Sequence, residues 1–460
     1  MKCIFSMIMI FSLFLISCGK GGRKIAKESE SKDMQMVKLM TVDPGHFHAA
    51  LVQKTMYDQV DPDVYVYAPE GPDLEQHLAK IRSYNTRPEN PTRWNEIVYT
   101  GDDFFEEMIR RKPGNVVVLS GNNKKKADYI LQSVKAGFNV LADKPMVITP
   151  EDFSKLEEAF RIAEEKGVLL YDIMTERYEI ATILQKELSQ KKEIFGELID
   201  GSLDEPAVTK ESVHHFSKIV SGSPLIRPAW FFDVEQQGEG IVDVTTHLVD
   251  LVQWECFPEV ILKKEDVNMV AAKHWPTILT KEEFTGVTGL QDFPEYLAKD
   301  VKEGKLYVYA NGEMTYQLKG KWAKVSVEWK YRAPEGAGDT HFSIMRGTLC
   351  DLVIKQTAAE KFVPTLYVQN IKTPLDEFTT RLKTVLASLP YENLTFDDTG
   401  NNVLRINIPD KYRVGHEEHF AQVTEKYLGF LKEGSMPEWE VPGMITKYFT
   451  TTSALVKSRE

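Results

Sequence analysis

Three short stretches carry the side chains that could do acid–base or ligand chemistry, and they lie far apart in the chain. The first is "DPGHFHA" (Asp43 to Ala49), a turn with one glycine and two histidines. The second is "NVLADKPM", an apolar run ending on Asp143, Lys144 and Pro145. The third is "GEGIVDVTTHLVDLVQW", in which Asp243 and His247 stand four residues apart and Asp250 follows three later. Four residues is about one helical turn, so Asp243 and His247 can share a helix face. His247 has an ordinary pKa suited to general-base work near neutrality. Lys144, at the carboxyl end of a parallel strand, would stand where open α/β sheets place their ligand crevice. Plain structural readings stand beside these: an exposed strand-end lysine, a first-turn carboxylate favoured by the helix dipole, a satisfied core histidine, and Asp250 as a surface partner.

The opening turn sits between a strand pattern, "KLMTV", and a helix pattern, "HAALVQKTMY". Histidines at i and i+2 do not face each other on a helix, and no Cys or Glu at metal-ligand spacing accompanies them locally. A metal site is therefore not expected. Laid on the G-x-G-x-x-G fingerprint, Asp43 takes the first glycine position, Gly45 the second and His48 the third. Gly45 is the position that lets backbone approach a pyrophosphate, and a helix N-terminus favours an anion. His46 and His48 could donate to phosphate or nicotinamide, or simply pack the start of the helix. Glu70, in "VYAPEGP", stands where an acidic residue would hold an adenosine ribose and repel a 2′-phosphate, so NAD is expected rather than NADP.

The elements that must position these residues follow from the hydrophobic pattern. Strands at "VYVYA", "NEIVYTG", "NVVVLSG", "NVLAD" and "VLLYDIM" alternate with helices at "DDFFEEMIRRKPG", "KKADYILQSVKAGF" and "PEDFSKLEEAFRIAEEKG", the last with Thr149 as N-cap. Alternation of this kind implies right-handed βαβ units and a parallel sheet. After about Met174 the rhythm changes. A helix at "YEIATILQKELSQK" and a strand entry at "GELIDGSLDE" lead to β-rich runs, "KLYVYANGEMTYQL" with an Asn311-Gly312 hairpin signal, "KWAKVSVEWKYRA", "HFSIMRGTLCDLVIKQ" and "NVLRINIP". Two helical patterns, "EEHFAQVTEKYLGFLKEG" and "ITKYFTTTSALVKS", close the chain. The fold class is α/β: a Rossmann-type doubly wound parallel sheet over residues 37–175, then an α+β domain with a large, mainly antiparallel sheet over 176–460.

Length and composition bound the answer. A chain of 460 residues, 42% hydrophobic and 27% charged, has room for two or three ordinary globular domains. A net charge of −12 disfavours nucleic-acid binding, and Lys124-Lys125-Lys126 reads as a solvated helix face. Residues 1–17 read as a secretory signal: Lys2, the apolar run Ile4 to Ser17, then "LISC", which resembles a bacterial lipobox with Cys18 as the lipidated residue. Residues 18–36 read as a flexible tether. The expectation is an exported protein, lipid-anchored to the bacterial membrane and facing the periplasm. Cys256 and Cys350, in apolar surroundings, read as buried thiols rather than a disulfide framework.

Taken together, the order and spacing of these motifs from Val37 to about Trp254 resemble the Gfo/Idh/MocA family of nicotinamide-dependent oxidoreductases. "VVVLSGNNKKKADYILQSVKAGFNVLADKPM" is similar to that family's segment ending on Glu-Lys-Pro, with Asp143 in place of the Glu, and "GEGIVDVTTH" to its glycine-rich start of Asp-x-x-x-His. The resemblance implies a catalytic Lys144, Asp243 and His247 that also bind substrate. It places Ser120, Asn122, Asn123, Asp143, Lys144 and Arg177 beside an NAD cofactor, and a substrate-facing Arg177 and Tyr178 after the last Rossmann strand. Trp230, His214 and His215 are further candidates for holding a sugar, through an aromatic face and polar forks. The resemblance also implies a homo-oligomer. The function expected is oxidation of a sugar or glycoside hydroxyl, the 3-hydroxyl first, by tightly bound NAD. A glycosidase that oxidises, eliminates and reduces back, and a sugar-binding lipoprotein without catalysis, are the alternatives.

Overall fold

A computed structural model of the protein describes residues 36–220 and 223–460. The expected signal segment, Cys18 and all of the tether but Met36 lie outside the described residues. No helix among the described residues is long and apolar enough to cross a membrane.

The first sheet is parallel and six-stranded: β1 (Leu39–Val42), β2 (Asp63–Ala68), β3 (Asn95–Thr100), β4 (Val116–Leu119), β5 (Asn139–Asp143) and β6 (Leu170–Ile173), in the order β3-β2-β1-β4-β5-β6. The run "VVVL" of β4 is buried at all four positions, as a central strand covered on both faces requires. Strand order reverses between β1 and β4, so the ligand crevice of such a sheet lies beyond the carboxyl ends of these two strands. Helices α1 (His48–Leu51), α2 (Pro72–Thr86), α3 (Phe104–Arg111), α4 (Lys126–Lys135) and α5 (Pro150–Lys166) make the connections. Thr149 caps α5 as expected, its hydroxyl accepting from Asp152 N at 3.2 Å. By contrast α1 is a single turn and does not run on to Tyr57. The carbonyls of Gln53 and Lys54 are taken by Trp94 Nε1 and Arg87 Nη2 instead of by helix amides.

The second sheet is large and mixed, mostly antiparallel, with neighbouring strands Val267–Leu279, Lys305–Leu318, Lys321–Arg332, β7 (Val208–Ser217), Thr340–Arg346, Asp351–Lys355, Thr365–Gln369, Leu404–Asn407 and Thr395–Asp398. Only the Lys321–Arg332 pairing with β7 is parallel in this series. Two expectations fail here. "GELIDGSLDE" contributes isolated bridges at Leu198 and Gly201 and no strand. "KLYVYANGEMTYQL" is one continuous strand, not a hairpin, because Asn311 is needed inside the sheet. Its buried amide donates to Trp275 O (3.0 Å) and Thr277 Oγ1 (2.9 Å) across an irregularity at Pro276, and its carbonyl accepts from Trp329 N (2.6 Å). Cys256 and Cys350 are both free, the first half-buried and the second buried.

The core around the parallel sheet is not built from residues 37–175 alone. Phe420, Tyr427 and Tyr448, from the helices His416–Glu433 and Glu440–Ser458, belong to the same hydrophobic cluster as β1, β4 and β5. A buried ionic network ties these elements together. Arg177 makes a two-pronged pair with Asp250 (2.6 and 2.7 Å) and reaches Glu440 (3.1 Å). Lys447 lies between Asp172 (2.7 Å) and Asp250 (2.8 Å). Asp250 is therefore a buried anchor and not a surface partner.

A second buried cluster predicts a pH effect. His77 on α2 and Glu96 on β3 lie 4.0 Å apart, with both ring nitrogens of His77 and one Glu96 oxygen unpartnered. Burial pushes Glu96 up to about 7 and His77 down to about 4, so both are neutral between those values and form no ion pair. A carboxyl raised on folding contributes stability that is complete below its unfolded pKa and is lost as pH rises through 7. Glu96→Gln keeps the acceptor for Gln53 Nε2 and removes that loss. It is expected to raise stability by about 2 kcal/mol at pH 8 and by almost nothing at pH 4.5, as read by urea unfolding at the two pH values.

Candidate active site

Lys144 and Asp243 meet although 99 residues separate them: Lys144 Nζ donates to Asp243 Oδ1 at 2.5 Å. The strand β5 ends on Asp143, so its following residue projects from the carboxyl edge of the parallel sheet. Asp243 comes from the turn that starts the helix Thr245–Cys256, and that turn depends on Gly240. A Cβ at this position would stand 1.7 Å from the Ala310 carbonyl oxygen, so only glycine lets the turn approach the second sheet. Gln237 Nε2 donates to the other Asp243 oxygen at 2.9 Å. One turn along, His247 faces the same space, and its Nδ1 is buried without a partner. Burial, then the nearby Lys144 charge, holds its imidazole well below the ordinary range. A ring held neutral is in the form that accepts a proton.

These three side chains line a cavity of about 430 Å³. Seven of the chain's 10 histidines line it, His247 among them, which sets several imidazoles into its walls. His214 is among them; it stacks on Trp329 (ring centroids 5.1 Å apart, 29° between planes) and hydrogen-bonds to Asp339 through Nδ1 at 3.0 Å. Burial works against the Asp339 anion, yet His214, His215 and Lys218 around it hold its carboxyl well below the usual range. Glu176 faces the cavity as well; burial, then Glu179, pushes it up to about 7. Sequence reasoning missed Trp329, Glu176, Asp339 and the pair His416 and His419. Trp329 sits in an ordinary alternating strand, and the histidines in an ordinary amphipathic helix, so no local signal marked them.

A second cavity, of about 360 Å³, opens at the carboxyl end of β2 and shares Arg227 with the first. Asp43, Glu70 and Trp230 line it. Glu70, expected to hold a ribose, is here, with Thr100 Oγ1 donating to it at 3.2 Å. Trp230 is on this side and not on the Lys144 side, its indole N–H donating to Asp73 at 2.7 Å. Asp43 keeps the left-handed backbone of the glycine it replaces (φ +46°), a conformation Asp tolerates better than most residues. Gly121 is needed beside it, since a Cβ there would stand 2.0 Å from the Asp43 carbonyl oxygen. Gly45 keeps its close approach, but to Asp73 and Trp230 of this chain: a Cβ would meet them at 2.8 and 3.0 Å. A left-handed first position, a carboxylate at the end of β2 and two cavities with Arg227 in both walls fit an extended dinucleotide.

Other expected residues are employed inside the protein. Asn122 and Asn123 hold the segment that carries Gln237, through Gln236 Oε1 (2.7 Å) and Gln237 O (2.7 Å). Ser120 donates to Asp143 at 2.9 Å. His215 lies behind the cavity wall, its backbone N–H on Asp339. Arg177 does not face the cavity; its guanidinium is consumed by Asp250 and Glu440, and Tyr178 packs against the core of the parallel sheet. Lys126, expected in solvent, is 2% exposed and donates to Asp143 O at 3.0 Å. The histidine pair also differs from expectation. His46 precedes α1, its N–H on Ser120 O, so the i, i+2 rule for helices does not apply. The two rings meet edge-on at 4.1 Å, and both approach Asp143.

Comparison with known proteins agrees with this layout. The family model described as "Oxidoreductase family, NAD-binding Rossmann fold" matches residues 71–172, and that described as "Putative oxidoreductase C terminal domain" matches residues 184–459. A crystal structure from Parabacteroides merdae, described as a putative oxidoreductase, is 53% identical and superimposes with a TM-score of 0.90 over 92% of this chain and 98% of that one. Levoglucosan dehydrogenase in complex with NADH and levoglucosan shares the fold at 12% identity (TM-score 0.58, 92% and 97% of the two chains). So does a 3-ketoreductase from Actinomadura kijaniata in complex with NADP, at 11% identity (TM-score 0.56, 92% and 97%). Among curated proteins, the oxidoreductase YteT of Bacillus subtilis, itself described as putative, is 26% identical over 153 residues, which is 33% of this chain and 32% of that protein.

Proposed function

Because the chain belongs to the Gfo/Idh/MocA family of oxidoreductases, we propose that it oxidises a hydroxyl of a sugar or glycoside with NAD, the 3-hydroxyl giving a 3-keto-sugar. The observation that carries this reading is the convergence of Lys144, Asp243 and His247 on one large cavity. NAD bound past Asp43 and Gly45 would supply the acceptor for the hydride. Lys144, held in place by Asp243, directs its ammonium at the reacting oxygen and steadies the negative charge that grows there. His247, whose ring lines the cavity, takes the hydroxyl proton. The His214–Asp339 pair, with His214 stacked on Trp329, offers a polar edge to the sugar ring. Glu70 sits where a ribose would be bound, and its carboxylate disfavours a 2′-phosphate.

Export and lipid anchoring at Cys18 are part of the same proposal, resting on "LISC" alone, as is assembly into a homo-oligomer. Release of the glycoside's leaving group after oxidation is the second reading, favoured by Glu176, whose carboxyl is poised to hold or give a proton near neutrality. The test is to titrate the purified protein with NADH and NADPH, then incubate it with NAD and a panel of glycosides. NADH is expected to bind about tenfold tighter than NADPH or better, and a keto-sugar to form in step with NADH. Aglycone release without net NADH would select the second reading. A protein that binds neither dinucleotide would overturn both.

A further inference from the structure

We infer that His46, His48 and Asp143 form a binding site for a divalent transition-metal ion of the zinc class. Two imidazoles and one carboxylate are a donor set that zinc takes readily. One donor atom from each residue lies within 4.8 Å of the other two. His46 Nδ1 and His48 Nδ1 stand 3.6 and 2.9 Å from the same oxygen, Asp143 Oδ2. Ligands around a tetrahedral zinc are roughly 3.4 Å apart, so both spacings to Asp143 are close to those about an ion, and His46 Nδ1 would give up the His48 backbone N–H that it accepts at 3.4 Å.

The surroundings resemble those of a built site. Asp143 is fixed by Ser120 Oγ on the same oxygen, Oδ2, at 2.9 Å and by Lys126 Nζ on its backbone carbonyl at 3.0 Å. Hydrogen bonds of this kind orient metal ligands and hold them. The His48 ring is also packed by Phe420, with centroids 4.6 Å apart. Both histidines line the large cavity, so a fourth coordination position would face it and could take a water or a substrate oxygen. The turn makes this possible because its two histidines are separated by the start of α1, which lets both rings swing toward the end of β5. The inference does not rest on the redox reading, since the ion would bind with neither dinucleotide nor sugar present.

The experiment is calorimetric titration of zinc chloride into the purified full-length protein after stripping with a chelator, without NAD or sugar. One ion per chain is expected. His46→Ala and Asp143→Asn are each expected to weaken binding about tenfold or more, and His419→Ala, elsewhere in the cavity, to leave it unchanged. His46 is partly exposed, so its variant tests the site without a large change to the core. A zinc-dependent rise in Tm that disappears in His46→Ala gives a second readout. Absence of one-to-one binding would overturn the assignment. So would binding that survives in His46→Ala and Asp143→Asn, or that is lost in His419→Ala. Because no dinucleotide or sugar takes part, a failure here leaves the oxidoreductase reading standing, and loss of NADH binding leaves this one standing.

Discussion

Lys144→Met is expected to lower kcat for sugar oxidation by about a thousandfold while the protein stays folded. The methionine fills the same volume but offers no proton, so the oxygen that gains charge as its hydrogen leaves loses its donor. Removing one such donor from a water-poor site costs about two to three orders of magnitude, and a positioned acid–base partner acts on a similar scale. Asp243 adds to the effect, because without the ammonium its carboxylate is left facing the reacting oxygen, held there by Gln237. Steady-state rates with NAD and an accepted sugar give the number, and NADH titration of the variant separates chemistry from cofactor binding. A fall of less than about tenfold would show that the ammonium takes no part in the reaction.

Lys447→Met is expected to cost about 3–5 kcal/mol of stability. Lys447 is fully buried, and its ammonium is shared by Asp172 and Asp250. Tyr448 also donates to the Asp172 carboxylate at 2.9 Å. Burial pushes Asp172 up against the pull of Lys447, whereas Arg177 and Lys447 outweigh burial at Asp250 and hold it far below the ordinary carboxylate range. Methionine would leave two buried carboxylates with one guanidinium between them and Glu440. Pairing Lys447→Met with Asp172→Asn removes one uncompensated charge and is expected to recover part of the loss. Urea unfolding of the single and double variants measures both. A single variant as stable as the parent would mean that the network contributes no stability through this lysine.

The parallel domain was legible because it rests on a local pattern, apolar strands between amphipathic helices, and so was the one-turn spacing of Asp243 and His247; that Lys144 meets them across 99 residues was implied by the family resemblance. What was misread depends on contacts across the chain. Asn311-Gly312 has the composition of a tight turn, but the amide of Asn311 repairs the sheet at Pro276, two strands' length away in sequence. Arg177 and Asp250 look like site and surface residues until Glu440 and Lys447 arrive from the last helix. Trp230 was expected to face the substrate; its indole hydrogen bond to Asp73 takes it to the other cavity. The two histidines were judged by a helix rule, and a short bend before α1 put them outside it.

The helices His416–Glu433 and Glu440–Ser458 have a consequence for the order of folding. Phe420, Tyr427 and Tyr448 close the core that the first 140 or so described residues begin, so the strands of the nucleotide fold lack part of their apolar cover until these helices dock. Before then the acids of β6 and the Thr245–Cys256 helix also lack their lysine. Contacts between segments this far apart in sequence close large loops, which slows folding relative to a domain that completes its own core.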